Sequence, residues 1–186
     1  MTRVIAGMTQ SLDGFIEDAN GSADALYADL AALHGTDYMQ AMIDETGAVV
    51  MGRRSFEMGD PDWYAGNYEF QVPIFVVTHA PPAAMPKHDD NLTFTFVTDG
   101  VAHAVELAKA AAGERAVTVV GGVRVIRDLL REGLVDELRI DVVPVLLGTG
   151  RRLLDDPDLA HVQLEKTGVQ EIGTRTSLRF RIPAGD

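Results

Sequence analysis

Ala116-Val-Thr-Val-Val-Gly-Gly-Val-Arg-Val-Ile-Arg-Asp-Leu-Leu130 decides the architecture of this chain. Val117 to Val120 is rich in β-branched side chains, the composition of a short strand covered on both faces. Gly121 and Gly122 interrupt it. Val123, Ile126 and Leu130 then recur at helical spacing among Arg124, Arg127, Asp128 and Arg131, so the order is strand, diglycine, amphipathic helix. That order has a chemical use. Glycines let backbone N–H groups approach a ligand closely, and the free amides and positive dipole end of a helix N-terminus favour an anion. The same pair also serves as a plain tight βα turn, and this stretch alone leaves both readings open.

A second stretch of the same kind lies upstream. Ala48 to Met51 reads as another buried strand, and it ends in Gly52-Arg53-Arg54-Ser55-Phe56. A glycine, two guanidinium groups and a hydroxyl therefore stand where a strand gives way to a turn. With the diglycine end they make a pair of clamps suited to a diphosphate, because arginine offers bidentate hydrogen bonds to phosphate oxygens.

Composition narrows the function classes. The 186 residues include no cysteine, which excludes disulfide scaffolds, thiolate zinc sites, cysteine-held iron–sulfur clusters and cysteine nucleophiles. A formal net charge of −12 repels nucleic acid and anionic membrane surfaces. The N-terminal segment enters a strand at once and no long apolar run follows, so the expectation is a soluble, cytoplasmic, single-domain protein over residues 1–186 with a small-molecule substrate. The five histidines, at 34, 79, 88, 103 and 161, lack metal-ligand spacing. Neither G-x-S-x-G nor G-x-G-x-x-G occurs, which removes the usual hydrolase elbow and the dinucleotide fingerprint.

From the N-terminus, Arg3 to Met8 reads as a strand leading into Ser11-Leu12-Asp13-Gly14-Phe15. Asp13 is either a turn carboxylate or a group that anchors substrate and relays a proton beside a strand end. Ser22 is placed to cap a helix starting near Ala23, and Thr36 to cap a second one. Asp29 on the first of these helices either faces solvent or points into a cleft as a substrate anchor. Trp63 and Tyr64 follow a helix-breaking Gly-Asp-Pro-Asp; they are either walls of a ring-binding pocket or loop aromatics packed on the core. Ile74 to Thr78 is a strand whose tip offers Thr78 and His79. Phe94 to Thr98 is a strand and Val101 to Ala112 a helix stopped by Gly113. Leu138 to Val143 alternates, and Val162 to Val169 with Thr176 to Ile182 closes the chain as an antiparallel hairpin. The expected fold is α/β, a three-layer arrangement with a mixed, mainly parallel central sheet, an antiparallel C-terminal hairpin and flanking helices.

Taken together, Val4-Ile-Ala-Gly-Met8 with Ser11-Leu-Asp-Gly-Phe-Ile16, Val50-Met-Gly-Arg-Arg-Ser-Phe56, Ile74-Phe-Val-Val-Thr78, Val119-Val-Gly-Gly-Val-Arg124 and Pro144-Val-Leu-Leu-Gly-Thr-Gly150 resemble the dihydrofolate reductase-like superfamily. Within it the chain is most similar to the group holding the reductase domain of bacterial riboflavin biosynthesis. The resemblance implies a dihydrofolate reductase-like fold and a reductase using NADPH. It implies that Gly52, Arg53, Arg54 and Ser55, with Gly121, Gly122, Val123 and Arg124, hold the cofactor phosphates. Thr78 and His79 would lie on the adenosine side, where Arg54 would meet a 2′-phosphate, and Asp13 corresponds to the aspartate of the Ser-Leu-Asp-Gly motif. Two positions depart from dihydrofolate reductases: the third glycine after the diglycine is Val123, and only Asp29 stands for the folate-anchoring carboxylate. Tetrahydrofolate formation is therefore not the expectation.

The resulting expectation is a stand-alone NADPH-dependent reductase, homodimeric by family resemblance. It would transfer hydride to a C=N or C=O bond of a small heterocyclic or ribosylaminopyrimidine-like substrate. Asp13 would be catalytic, and Asp29, Trp63 and Tyr64 would bind substrate. The alternative is a non-catalytic protein that binds a nucleotide or pterin-like ligand on the same fold.

Overall fold

The computed structural model, which describes residues 2–183, begins with β1 (Val4–Ser11) and a short β2 (Phe15–Glu17). These lead to α1 (Leu30–Leu33), α2 (Asp37–Glu45), β3 (Thr46–Gly52) and the single turns α3 (Arg53–Phe56) and α4 (Tyr64–Asn67). Next come β4 (Ile74–Val77), β5 (Phe94–Val97), α5 (Val101–Ala112), β6 (Ala116–Val119), α6 (Val123–Arg131) and β7 (Glu137–Val143). The chain closes with β8 (Arg151–Arg152), β9 (Glu165–Ile172) and β10 (Arg175–Arg181). Eight strands form one sheet in the order β5-β4-β3-β6-β1-β7-β10-β9, and β2 pairs with β8 apart from it. Neighbours from β5 to β7 run parallel; β10 is antiparallel to both β7 and β9. This is the mainly parallel sheet with an antiparallel ending that the sequence pattern predicts.

Central strands are buried on both faces because α5 and α6 cover one side, and α2 with the segments around Phe56, Tyr64 and Phe70 cover the other. All seven residues of β3 and all four of β6 are buried. Side chains alternate between faces. Val4, Ala6, Ala48, Val50, Val117 and Val119 pack against α5 and α6. Val49, Met51, Ile74 and Val76 meet Phe56, Tyr64, Phe70 and Phe94 on the opposite face. Leu33, Tyr38, Met39 and Ile172 form a small satellite cluster beside them. No described helix is long and apolar enough to cross a membrane.

Several boundaries differ from the sequence-based expectation. β1 continues past Met8 to Ser11 because β7 stays in register with it as far as Ser11 opposite Val143. The region after Ser22 forms only a 3-10 turn, Asp24–Leu26, and the four-residue α1. Thr36 does cap α2, its hydroxyl accepting the Met39 N–H at 3.3 Å. β9 lies three residues later than Val162 at its start. It is an edge strand exposed along nearly its whole length, so its sequence carries little apolar signal.

Candidate active site

Parallel order brings the C-terminal tips of β1, β3, β4 and β6 to one edge of the sheet, the place where open α/β sheets bind ligands. Val50 is in register with Val119, so the two glycine-bearing ends meet. The Gly52 N–H donates to the Gly121 carbonyl at 2.9 Å. Gly121 has φ +132°, and a Cβ there would lie 2.8 Å from Ser55 Oγ. Bare backbone is thus required beside the Ser55 hydroxyl. Gly122 precedes α6 with no side chain capping it, which leaves the positive end of a nine-residue helix open at this edge.

A cavity of about 330 Å³ adjoins these turns. That is the lower end of the range for small-molecule sites. Tyr27, Leu30, Met39, Met51, Tyr64 and Tyr68 give it largely apolar walls, and its floor is the polar phase of the central strands, with Thr118 on β6, Arg139 and Asp141 on β7 and Arg175 on β10.

Those floor groups are mutually bonded. Arg175 donates from Nε and Nη2 to the two Asp29 oxygens at 2.9 and 2.5 Å, and from Nη1 to Asp141 at 3.1 Å. The Tyr38 hydroxyl reaches both Asp141 oxygens at 3.0 and 2.8 Å. Arg139 donates from Nε to Glu137 at 2.6 Å and pairs with Glu45 through both terminal nitrogens. Burial works against the charge on each arginine, but the facing carboxylates outweigh it and keep both guanidinium groups charged. Hydrogen bonds from Arg175 hold the Asp29 carboxyl below the usual carboxylate range. Burial, and then the Asp141 charge, push the Tyr38 hydroxyl up to about 12.

One cavity carboxyl is different. Among the described residues, Glu17, Glu45 and Asp141 each face at least one arginine, whereas Glu69 has no cationic partner within salt-bridge distance. Burial raises its carboxyl above the ordinary range.

Not all of the sequence-predicted residues converge here. Gly121, Gly122, Val123, Ser55, Arg54 and Tyr64 line the cavity. Gly52 backs the diglycine turn, and Arg53 and Arg124 are exposed outside the wall, Arg53 pairing with Glu57 just past the end of α3 at 2.7 Å and Arg124 with Asp128 within α6 at 3.7 Å. Thr78 turns its hydroxyl to the Ala80 carbonyl at 2.8 Å, and His79 is exposed at the same rim. Trp63 stands outside the wall and is 54% exposed, so it neither walls the cavity nor packs on the core. Tyr64 does pack on the core, stacked on Phe56 with ring centroids 5.6 Å apart. Asp29 does not face solvent freely, because Arg175 holds it.

Asp13 also lies outside the wall. Its carboxylate accepts the Ser11 hydroxyl at 2.5 Å and the Leu147 and Gly148 amides at 3.2 and 2.7 Å. The Ser11 bond, against some burial and helped by the two amides, holds its carboxyl below the ordinary aspartate value. The geometry is that of a latch between the 11–17 turn and the 144–150 loop.

Sequence reasoning passes over Tyr38, Glu69, Arg139, Asp141 and Arg175. Alternation along β7 and β10 marks residues 139, 141, 175 and 177 as one polar phase, but not that α1, α2 and the segment around Glu69 roof that phase. An aspartate and two arginines facing inward from neighbouring central strands were the available signal.

A family model described as the RibD C-terminal domain matches residues 2–178. Protein YyaP of Bacillus subtilis (strain 168), itself uncharacterised, is 25% identical over 184 residues, covering 94% of this chain and 88% of that protein. The crystal structure of a putative riboflavin biosynthesis protein from Shewanella sp. PV-4 superimposes with a TM-score of 0.76 at 21% identity, covering 98% of this chain and all of that one. A deaminase/5-amino-6-(5-phosphoribosylamino)uracil reductase from Thermotoga maritima gives a TM-score of 0.71 at 15% identity, with 98% of this chain covering 57% of that longer one. The fold is therefore that of the riboflavin-type reductase domains, and the chain belongs to the RibD C-terminal domain family.

Proposed function

We propose that the protein is an NADPH-dependent reductase acting on a C=N or C=O bond of a small heterocyclic, ribosylaminopyrimidine-like substrate. The observation that carries this reading is the juxtaposition of the diglycine turn and Ser55, with an open α6 N-terminus, at one end of an apolar cavity that has a polar floor. The residues present fit the cofactor. A Cβ at Gly121 would fill the space beside Ser55, so the backbone amides there stay open to phosphate oxygens. NADPH supplies a hydride from its nicotinamide when bound.

The chain's own residues supply the rest. Gly121, Gly122, Val123 and Ser55 hold phosphate through amides and a hydroxyl, with Arg54 adding charge. Gly52, Arg53, Arg124, Thr78 and His79, at or beside the ends of β3, β4 and β6, would hold the remainder of the cofactor. Tyr64 and its aromatic neighbours exclude water from the ring. Reduction of C=N or C=O also consumes a proton. Glu69, the cavity carboxyl without a cationic partner, donates it from its carboxyl oxygen to the substrate heteroatom. Arg175, Asp141, Asp29 and Tyr38 fix the floor against which the substrate ring lies. Asp13 positions the loop over the cavity and takes no part in proton transfer.

The experiment is to follow the loss of the reduced-nicotinamide absorbance of NADPH with imines, pterins and ribosylaminopyrimidines as acceptors. Oxidation with one acceptor class supports the reading, and binding without oxidation of any would favour a ligand-binding role. A homodimer belongs to the same proposal and is tested by sedimentation equilibrium.

A further inference from the structure

Glu17 sits between two arginines at the mouth of the cavity. Arg54 Nη2, from α3, lies 3.2 Å from Glu17 Oε2, and Arg151 Nε, from β8, lies 3.2 Å from Glu17 Oε1. The β2–β8 pairing sets this up by placing Glu17 opposite Arg151. At Gly150 the backbone presses so closely on the Glu17 carbonyl that a side chain would collide with it, which fixes Arg151 beside Glu17.

Each guanidinium spends one nitrogen on Glu17 and has no other hydrogen-bond or ion-pair partner among the described residues. Arg139 and Arg175, deeper in the same cavity, contact carboxylates through three nitrogens each. The two mouth arginines are also open, with side chains 59% and 49% exposed against 16% for Glu17. Two unsaturated cations therefore converge on a single carboxylate, in a chain whose net charge is −12. A tetrahedral dianion offers more acceptor oxygens and twice the charge, and arginine forks match it.

We propose that Arg54 and Arg151 form a two-armed clamp for a phosphate monoester, which Glu17 occupies in this structure and the ligand takes over. Glu17 is then an internal competitor that lowers the clamp's affinity and rejects ligands lacking a strong anion. The inference rests on the reading of the cavity as the ligand site and adds Arg151 and Glu17 to it as specificity-determining residues. The phosphate belongs either to the 2′ position of a dinucleotide or to the substrate.

Calorimetric titration of the full chain with adenosine 2′-monophosphate and with ribose 5-phosphate separates the two sources; adenosine and ribose are the counterparts lacking a phosphate monoester. At least one monoester probe is expected to bind. For that probe, Glu17→Gln tightens binding about tenfold, Arg151→Ala weakens it about tenfold, and Arg151→Lys restores part of the loss. Response with adenosine 2′-monophosphate assigns the clamp to the cofactor, and response with ribose 5-phosphate to the substrate. Failure of both monoester probes to bind, or a Glu17→Gln variant that binds them no more tightly than wild type, overturns the clamp. Should Glu17→Gln fail to fold, unchanged affinity in Arg151→Ala overturns it alone. Only binding is read, so a responsive clamp in a protein that oxidises no NADPH would contradict the reductase reading and leave the clamp standing.

Discussion

The Tyr38 hydroxyl lies 3.0 and 2.8 Å from the two oxygens of Asp141, joining α2 to the middle of β7 across 103 residues of sequence. Asp141 also takes Nη1 of Arg175, which is only 3% exposed, so one carboxylate fixes both the roof and the floor of the cavity. Its loss leaves a buried guanidinium partly unpaired. Asp141→Ala is expected to cost about 3 kcal/mol, and Tyr38→Phe about 1.5 kcal/mol, in unfolding free energy measured by urea denaturation. A loss under about 0.5 kcal/mol in both variants would show that the network is not a structural tie.

Asp13 predicts a pH effect confined to one loop. Its folded pKa is depressed, by the Ser11 hydrogen bond above all, so its contribution is fully present above the unfolded aspartate value and is lost as pH falls through the folded one. Hydrogen exchange at the Leu147 and Gly148 amides should stay protected near neutral pH and lose protection only on acidification below about pH 4. Asp13→Asn should expose the same two amides at neutral pH while leaving β3 and β6 protected. Unchanged protection there would remove the latch.

Glu69 has the opposite sign. Burial raises its folded pKa, so above the ordinary glutamate value the folded state keeps a proton that the unfolded chain has lost, and stability falls as pH rises through that window. Glu69→Gln should therefore be more stable than wild type at neutral pH, with the difference vanishing in acid. In the proposed reaction the same variant should bind NADPH normally and turn over about a hundredfold more slowly or worse, the lower end for loss of a general acid. Wild-type turnover in Glu69→Gln would transfer the proton step to another group.

Gly121 is a test of the phosphate turn. Alanine there adds a Cβ 2.8 Å from Ser55 Oγ at φ +132°, which L side chains rarely adopt. Gly121→Ala should cost about 1–3 kcal/mol of stability and weaken NADPH binding about tenfold or more, whereas Gly59→Ala, where no atom lies within 4 Å, should leave binding unchanged. Equal effects from the two variants would separate the diglycine from cofactor binding.

How far the sequence could be read follows from what each residue type constrains. Gly121, Gly122, Gly52 and Ser55 were legible as one site because strand and glycine patterns place backbone, and parallel strands bring their tips together. The order of βα units likewise gave the mainly parallel sheet. The polar floor was not legible. Period-two alternation shows that Arg139 and Asp141 share a face, but whether water or protein covers it depends on α1 and α2, whose short, weakly periodic sequences lie far from β7. Asp13 shows another limit, since the Leu147 and Gly148 amides that bond its carboxylate lie 134 and 135 residues away in sequence.

That this cavity binds NADPH is the premise on which the proposed reaction stands, and calorimetric titration of the purified protein with NADPH and NADH tests it. Saturable binding of NADPH is expected, tighter than that of NADH by about tenfold or more, because arginine meets an additional phosphate. Absence of binding by either nucleotide would contradict it.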